Sequence, residues 1–411
     1  MTKKRAAKRR VPTKKPKTTE PAPPTAESSD APPAPPKPDR RERIRSLMAE
    51  GIRAKHGARS ALLLSEGEAL SEVKEVLPTT IDALDRWVVG CHVGEDYGLP
   101  GGRVVEIAGP EGSGKTTIGW SLVASAQRSG GIGAWVDGEH SMSKERAGTM
   151  GASWDDTILL EPDTLEEGLD MVWTALGLIP KGVGPNVIVF DSIAGLTTRY
   201  EKEHGETRPG EIARILTVKL RRVGRLLVEK RCVLACMNQV RDDGVGGGGQ
   251  KRGLNLRTPG GRYFQHAASL RIMITGGEKV EIDGKRVGKA PLFRAQKNRF
   301  VEPFRVARVR LIFRTGWDNR WTTINHAREE GKVPSKARFR LTTKAHVEAC
   351  RALGWPAIDG ATGEVLWTPG APEPALPEEP EPDEASPETA AAAEAYEGAF
   401  EGAESEEESD G

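Results

Sequence analysis

Cysteine is scarce in this sequence. Only four occur among 411 residues, Cys91, Cys232, Cys236 and Cys350, and their spacing fits neither a disulfide framework nor a zinc site with paired ligands. Cys232 and Cys236 stand four residues apart in an apolar run, which favours buried strand residues over metal ligands. We therefore exclude a disulfide-stabilised scaffold and expect a reducing compartment.

Long apolar segments are also missing. No stretch approaches the roughly 20 consecutive apolar residues of a membrane-spanning helix, and no apolar run follows the basic N-terminus as in a secretory signal. These absences argue against membrane-spanning and secreted classes of protein. We expect a soluble, cytoplasmic protein without a membrane partner.

The charges nearly cancel, but they are segregated along the chain. The sequence contains 60 Lys and Arg and 59 Asp and Glu. Residues 1–17, however, hold nine bases and no acid, and residues 373–411 hold fifteen acids and no base. The basic end has the charge to contact nucleic acid or to act as a solubilising tail. The acidic end either competes for basic surfaces or keeps the protein soluble.

Shifts in composition divide the chain into five predicted segments. Ten prolines between Pro12 and Pro38 predict a disordered basic arm over residues 1–38. An apolar stripe at helical spacing and a strand-like run, Ser60 to Leu64, follow within residues 39–75. We expect a core domain over 76–315, a small C-terminal domain over 316–368, and a disordered acidic tail over 369–411. The stripe consists of Ile44, Leu47, Met48 and Ile52.

Strand and helix patterns alternate through the core. We predict three helices in this region. The first spans Lys115–Gln127, the second begins at the capping box Thr164/Glu167, and the third spans Glu211–Val228. The alternation predicts an α/β fold with a mostly parallel sheet that helices cover on both faces. The predicted strands are Val104–Ala108, Ala134–Asp137, Ile158–Leu160, Val187–Asp191, Cys232–Met237, Ser269–Ile274, Leu292–Gln296 and Phe304–Phe313.

A phosphate-binding loop stands between the first predicted core strand and its helix. The segment matches G-x-x-x-x-G-K-[ST] in full. Its glycines let backbone N–H groups wrap a phosphate chain at the positive end of a helix, while Lys115 reaches the phosphates and Thr116 ligates Mg²⁺. The loop reads Gly109, Pro110, Glu111, Gly112, Ser113, Gly114, Lys115, Thr116.

Carboxylates follow two other predicted strands. Asp191 ends an apolar strand, as expected of a residue that holds magnesium through water, although such an Asp is often only a cap or turn residue. Nucleotide hydrolysis also requires a carboxylate that orients and deprotonates water. Glu139 is our candidate, and Asp137 or Glu145 could replace it on spacing alone.

A polar pair and a glycine-rich segment follow the strand Cys232–Met237. Asn238 and Gln239 open a stretch with eight glycines and four bases, which predicts a loop that senses a γ phosphate and contacts an anion. The alternative is an ordinary surface loop. The predicted helix Glu211–Val228 adds a row of arginines, which is either solvated or functional. The bases are Arg241, Lys251, Arg252 and Arg257 in the loop, and Arg214, Arg221 and Arg225 on the helix.

These motifs together resemble the RecA family of DNA recombinases over roughly residues 41–315. The order of the motifs along the chain is that of the family, and few nucleotidases combine a separate catalytic Glu, Asn-Gln before a glycine-rich loop, and a late Lys-Asn-basic segment. The matching segments are Leu77–Asp85, Gly98–Arg103, GPEGSGKTT, VDGEH, VIVFDS, MNQVR, TPGGRYFQHAASLRI and QKNRFVEPF.

The resemblance implies a RecA-like P-loop NTPase core and a DNA-dependent ATPase that uses ATP and Mg²⁺. It also implies a set of roles for individual residues. Lys115, Thr116 and Thr117 would contact the phosphates and magnesium, Glu139 would activate water, and Asp191 would face magnesium. Gln239 would sense the γ phosphate, and Lys297 with Arg299 would reach the ATP of a neighbouring subunit.

The family further implies partners. The expected function is to form helical homo-oligomeric filaments on single-stranded DNA, to pair it with double-stranded DNA and to exchange strands in repair. Residues 39–75 would dock on the adjacent protomer, and loops Glu201–Gly210 and Val240–Pro259 would grip DNA. An SOS repressor, loading mediators and association with the nucleoid are further expectations. The candidate DNA-binding residues are Arg208, Arg214, Arg241, Lys251, Arg252, Arg257 and Arg262.

The sequence also departs from the family. Ser143 and Arg146 stand where the family commonly has an Asp and a Tyr that bracket adenine, so Arg146 becomes the candidate for stacking on the base. The second DNA loop is longer and less apolar than usual. Two alternatives stay open: a ring-forming motor such as a hexameric helicase, and an accessory filament protein that does not exchange strands.

Overall fold

The computed structural model describes residues 40–57, 61, 72–242, 256–282, 284–333, 343–358 and 365–371. The predicted basic arm, nearly all of the acidic tail and most of the predicted strand Ser60–Leu64 lie outside these residues. The chain forms two units, residues 1–69 and 70–411. Helix α1 (Arg40–His56) belongs to the first unit, where its four stripe residues are between 42% and 62% exposed.

The second unit alternates helices and strands as the sequence predicts. Its helices are a π-helix (Ala83–Val89), α2 (Lys115–Arg128), α3 (Lys144–Thr149), α4 (Leu165–Leu178), α5 (Arg199–His204), α6 (Glu211–Glu229), α7 (Gly261–Ala267), α8 (Asn319–Glu329) and α9 (Thr343–Leu353). Its strands are β1 (Val76–Leu77), β2 (His92–Val93), β3 (Asp96–Tyr97), β4 (Leu99–Pro100), β5 (Val104–Gly109), β6 (Gly133–Asp137), β7 (Thr157–Leu160), β8 (Asn186–Asp191), β9 (Cys232–Gln239), β10 (Arg241–Asp242), β11 (Leu256–Arg257), β12 (Leu270–Ile282), β13 (Lys285–Asn298), β14 (Val306–Arg308), β15 (Arg310–Ile312), β16 (Gly316–Asp318), β17 (Ala357–Ile358) and β18 (Val365–Trp367).

One large sheet organises this unit. Its strands run in the order β16-β15-β13-β12-β5-β9-β8-β6-β7, and β14 pairs with β13. The pairs from β12 to β7 are parallel, whereas β12 and β13 form an antiparallel hairpin. The predicted α/β class with a mostly parallel sheet is therefore confirmed. The carboxyl ends of β5, β6, β8 and β9 meet at one edge, where ligands of such sheets bind.

Two details of the predicted strands need correction. The predicted single strand Phe304–Phe313 is two three-residue strands, β14 and β15, separated at Val309. The predicted strand Leu292–Gln296 is one part of the longer strand β13, which reaches from Lys285 to Asn298. Strand β16, at the predicted start of the C-terminal domain, pairs with β15 in the large sheet. The boundary of that domain stays a prediction.

The sheet separates two apolar clusters, and alternate residues of each central strand contribute to opposite ones. In β8, Val187 and Val189 join the cluster that contains α2, whereas Ile188 and Phe190 join the cluster with α4 and α6. All four cysteines are free and buried. The prediction that Cys232 and Cys236 are buried strand residues is confirmed.

Asp85 gives the folded protein a pH-dependent stability. Its carboxylate is buried beside the π-helix, where Thr79 N donates to its two oxygens at 3.0 and 2.9 Å. Burial raises the pKa of Asp85 to about 8. The hydrogen bonds from Thr79 and the charge of Arg86 lower this pKa, and the charge of Asp82 raises it further. Because the unfolded carboxyl ionises near pH 4, the folded chain holds the extra proton between about pH 4 and 8. Stability from this group is thus complete below pH 4 and is lost as the pH rises to about 8.

We therefore expect Asp85→Asn to flatten the pH dependence of unfolding. Between pH 5 and pH 8, the wild type should lose stability at up to the order of 1 kcal/mol per pH unit through this group, and the variant should lose less. Chemical denaturation at several pH values measures the slope. Parallel slopes for the two proteins would contradict the assignment.

Candidate active site

The phosphate loop joins β5 to the N-terminus of α2. Its glycines are required by geometry, since Gly112 and Gly114 have φ of +66° and +105°. A Cβ at Gly109 would lie 2.6 Å from Ser113 Oγ and 2.8 Å from Ile274 O. The loop therefore closes tightly at its base, and it leads directly into the N-terminal, positive end of a 14-residue helix.

Lys115 lies inside the curve of this loop. Its Nζ donates to the carbonyl oxygens of Gly109 and Pro110 at 3.0 and 2.8 Å, and its side chain is buried. Burial lowers the pKa of Lys115, while Asp191 and Glu139 oppose that shift. Ser113 Oγ is buried and has no hydrogen-bond partner among the described residues. An ammonium and an unpaired hydroxyl in a glycine cradle suit a phosphate chain.

Asp191 and Thr116, the two residues predicted to hold magnesium, lie in direct contact. Thr116 Oγ1 donates to Asp191 Oδ2 at 2.8 Å, at the carboxyl end of β8. Burial raises the pKa of Asp191 to about 6. The hydrogen bond from Thr116 lowers this pKa, and the negative charge of Glu139 raises it. Within the described ranges, no three His, Cys, Asp or Glu cluster as metal ligands. One hydroxyl and one carboxylate fit Mg²⁺, which usually takes its other ligands from phosphates and water.

Glu139 is held by two donors from neighbouring strand ends. Ser192 Oγ donates to Glu139 Oε1 at 2.5 Å, and Gln239 Nε2 donates to the same oxygen at 3.1 Å. The ends of β6, β8 and β9 thus bring together a carboxylate, a hydroxyl and an amide. Sequence reasoning missed Ser192 as a site residue, although its place directly after Asp191 was the available signal.

The two alternatives to Glu139 occupy other positions. Asp137 Oδ1 accepts from the backbone N–H groups of Glu139 and Ser141, at 3.2 and 3.4 Å, so it shapes the turn that carries Glu139. Glu145 lines a separate cavity beside Thr117. Of the three carboxylates, Glu139 is the one bonded to Gln239.

The cavity beside Thr117 contains the residues that depart from the family pattern. Its volume is about 130 Å³, and Arg146 Nη1 donates to Thr117 Oγ1 at 3.2 Å. Ser143 caps α3, because its Oγ accepts from Arg146 N at 3.2 Å. Phe313 also lines this cavity, and sequence reasoning did not single it out. The lining residues are Thr117, Ser143, Glu145, Arg146, Thr149, Met150, Leu311 and Phe313.

Lys297 and Arg299 both contact the backbone at the end of α7. Lys297 Nζ donates to the carbonyl oxygens of Gln265, His266 and Ala268, at 2.7, 3.0 and 2.6 Å. Arg299 Nη2 donates to His266 O at 2.8 Å. Both cations thus face the C-terminal end of α7, where positive charge is favourable.

Comparison with known proteins shows the family of this chain. The RecA N-terminal domain family matches residues 45–318. The chain belongs to the RecA family. The protein RecA of Thermus thermophilus is 34% identical over 271 residues, which cover 65% of this chain and 75% of that protein. The protein RecA of Acidothermus cellulolyticus is 33% identical over 298 residues, 72% of this chain and 81% of that protein.

Membership of the RecA family confirms the resemblance seen in the sequence. It supports a function in DNA recombination and repair, with binding of ATP and DNA. In the described part of the chain, no helix has the length and apolar character needed to cross a membrane.

The candidate DNA-binding residues of this RecA family member fall in several separate places. Arg208 stacks over the Tyr200 ring at 3.5 Å, exposed Arg214 pairs with Glu211 at 2.6 Å, and Arg262 is exposed on α7. Arg241 on β10 is the backbone register partner of Arg257 on the antiparallel strand β11. Lys251 and Arg252 lie outside the described residues, as do the side chains of Arg241 and Arg257.

The first predicted DNA loop is partly helical. Residues 201–204 belong to α5, and a capping box formed by Thr198 and Glu201 begins this helix. Only residues 205–210 therefore connect α5 to α6. On α6, the arginine row is engaged by its own chain: Arg221 lies over the Tyr263 ring at 4.9 Å, and Arg225 pairs with Glu229 at 2.9 Å. Arg221 therefore links α6 to α7, just after the second loop.

Proposed function

We propose that this protein is an ATP-dependent DNA recombinase that forms filaments on single-stranded DNA and promotes strand exchange with homologous duplex. The proposal rests most on one contact, the 3.1 Å hydrogen bond from Gln239 to Glu139. It joins the carboxylate suited to activate water to the residue that opens the second DNA loop. The protein would work in the cytoplasm, on the nucleoid when bound to DNA, with an SOS repressor and loading mediators as further partners.

In this proposal, hydrolysis depends on how the chain holds the triphosphate and water. Lys115 and the loop N–H groups would bind the phosphates, and Thr116 with Asp191 would hold Mg²⁺, which neutralises phosphate charge when bound. Glu139 Oε1 already accepts two hydrogen bonds. Its other oxygen is therefore the better placed to take a proton from water. Arg146 and Phe313 would contact the base beside Thr117.

A groove beside the edge strand β7 supports filament assembly. It has a volume of about 900 Å³ and is lined by apolar side chains that include Ile158, Met171 and Leu178. Ile158 and Leu178 are 48% and 78% exposed. We propose that α1 of a second protomer inserts its apolar stripe here. The groove residues include four acids and two bases, which complements the mostly basic α1.

Lys297 and Arg299 would complete the site of the adjacent protomer. In the family arrangement that the sequence implies, such cations approach the neighbour's phosphates and stabilise developing charge. Their bonds to α7 carbonyls would then be exchanged for phosphate contacts. A non-hydrolysable ATP analogue should therefore promote assembly.

Nucleotide hydrolysis with and without DNA tests the proposal. We expect single-stranded oligonucleotide to raise kcat severalfold in the wild type, and Lys115→Ala to show no hydrolysis under either condition. Absence of stimulation together with absence of filaments would refute the proposal. Closed rings in electron micrographs would favour the ring motor, and stimulated hydrolysis without D-loop formation would favour the accessory filament protein.

A further inference from the structure

Glu106 is a buried charge within the central sheet. It lies on β5, three residues before Gly109, and is 0% exposed. Asn238 Nδ2 donates to its Oε1 at 2.9 Å, and Arg271 Nε donates to its Oε2. A buried ion pair is weak evidence for stability, since apolar side chains of similar volume often serve a core equally well. The partners of Glu106 suggest a different role.

The first partner connects Glu106 to the hydrolytic site. Asn238 is buried on β9, directly before Gln239, whose amide contacts Glu139. Asn238 Nδ2 also donates to Pro259 O at 3.0 Å. One amide thus ties strand β9, which leads into the second DNA loop, to the last residue of that loop, and Glu106 fixes the orientation of that amide.

The second partner connects Glu106 to the far side of the same loop. Arg271 is the register neighbour of Glu106 on β5 and of Lys297 on β13. Its Nη2 donates to Thr258 Oγ1 at 3.2 Å. Lys297 in turn holds the end of α7, which begins at Gly261. The end of the loop and the helix that follows it are therefore fixed by a row of charges that starts at Glu106.

We propose that Glu106 is a positioning residue that fixes both ends of the segment between Gln239 and Thr258 relative to Glu139. Through it, contact of that segment with single-stranded DNA is transmitted to the carboxylate that activates water. The inference rests on the proposed function, because it assigns the coupling within the same site. Without the charge of Glu106, Arg271 is free to reorient, and the contact that joins Thr258 to Asn238 through Glu106 is weakened.

Glu106→Gln in the full-length protein tests the role. The variant keeps the size of the side chain and an acceptor for Asn238 but removes the charge that faces Arg271. We expect kcat and KM for ATP without DNA to stay within about twofold of the wild type. The oligonucleotide concentration for half-maximal stimulation should rise about tenfold. A merely structural role would lower the unfolding temperature and leave this concentration unchanged.

Two further variants keep the test independent of folding. Thr258→Val retains the shape of the side chain and removes only the contact with Arg271, so we expect a shift of the same sign. Asp85→Asn removes another buried carboxylate, whose hydrogen bonds are with Thr79 and not with this network, and it should leave the response to DNA unchanged.

The outcomes separate the two proposals. A wild type that oligonucleotide does not stimulate would overturn the proposed function and this inference with it. A stimulated wild type, together with Glu106→Gln and Thr258→Val variants that respond to the same DNA concentrations, would overturn the inference alone.

Discussion

Glu139→Gln should bind ATP and assemble on DNA nearly as the wild type does, while its kcat for hydrolysis falls about 100- to 10,000-fold. The amide has almost the same shape as the carboxylate, but it cannot accept a proton from water. Its oxygen can still accept the hydrogen bonds that Ser192 and Gln239 now donate to Glu139. Single-turnover hydrolysis and nucleotide titration, measured separately, distinguish chemistry from binding.

Ser192→Ala provides the graded comparison for this experiment. It keeps the Glu139 carboxylate and removes one of its two donors, so the decrease in kcat should be much smaller. Asp137→Asn disturbs the turn that carries Glu139, and it should leave more activity than Glu139→Gln. If Glu139→Gln hydrolyses ATP at the wild-type rate, the assignment of Glu139 as the proton acceptor is wrong.

The second large effect is expected on assembly. Ile158→Glu places a charge in the apolar groove that α1 of a second protomer would fill. Burying that charge without a partner should cost at least about 3 kcal/mol, which raises the concentration needed for filaments about 100-fold. Light scattering and electron microscopy with an ATP analogue measure the loss. Nucleotide binding by the isolated protomer should be unchanged, because Ile158 lies on the edge strand β7.

A matched surface variant and a charge exchange make this test specific. Trp173 lies on α4, is 37% exposed and is not among the groove residues, so Trp173→Gln should assemble normally. Met48→Glu on α1 should fail to assemble, as Ile158→Glu does. The double variant, which carries both Met48→Lys and Ile158→Glu in the same chain, should recover part of the assembly. Normal filaments from Ile158→Glu would show that α1 binds elsewhere.

Local patterns in the sequence were enough to predict the elements of the fold. The phosphate loop, the helix that follows it and the apolar strand before Asp191 each depend on residues close together in the chain. Their predicted bounds agree with β5, α2 and β8 to within one residue. The strand Phe304–Phe313 was mispredicted, because apolar content alone does not reveal the interruption at Val309.

The sequence by itself determined the α/β class, the phosphate loop and the family, since each is encoded by contiguous residues and their order. Only the tertiary structure showed that Asp137 bonds to the backbone of its own turn, and that Ser192 and Gln239 donate to the same oxygen of Glu139. It also identified Glu106, an acid that in the sequence is one more residue of a buried strand. The physical reason is that hydrogen bonds between strand ends depend on strand order and register, which the packing of the whole sheet fixes.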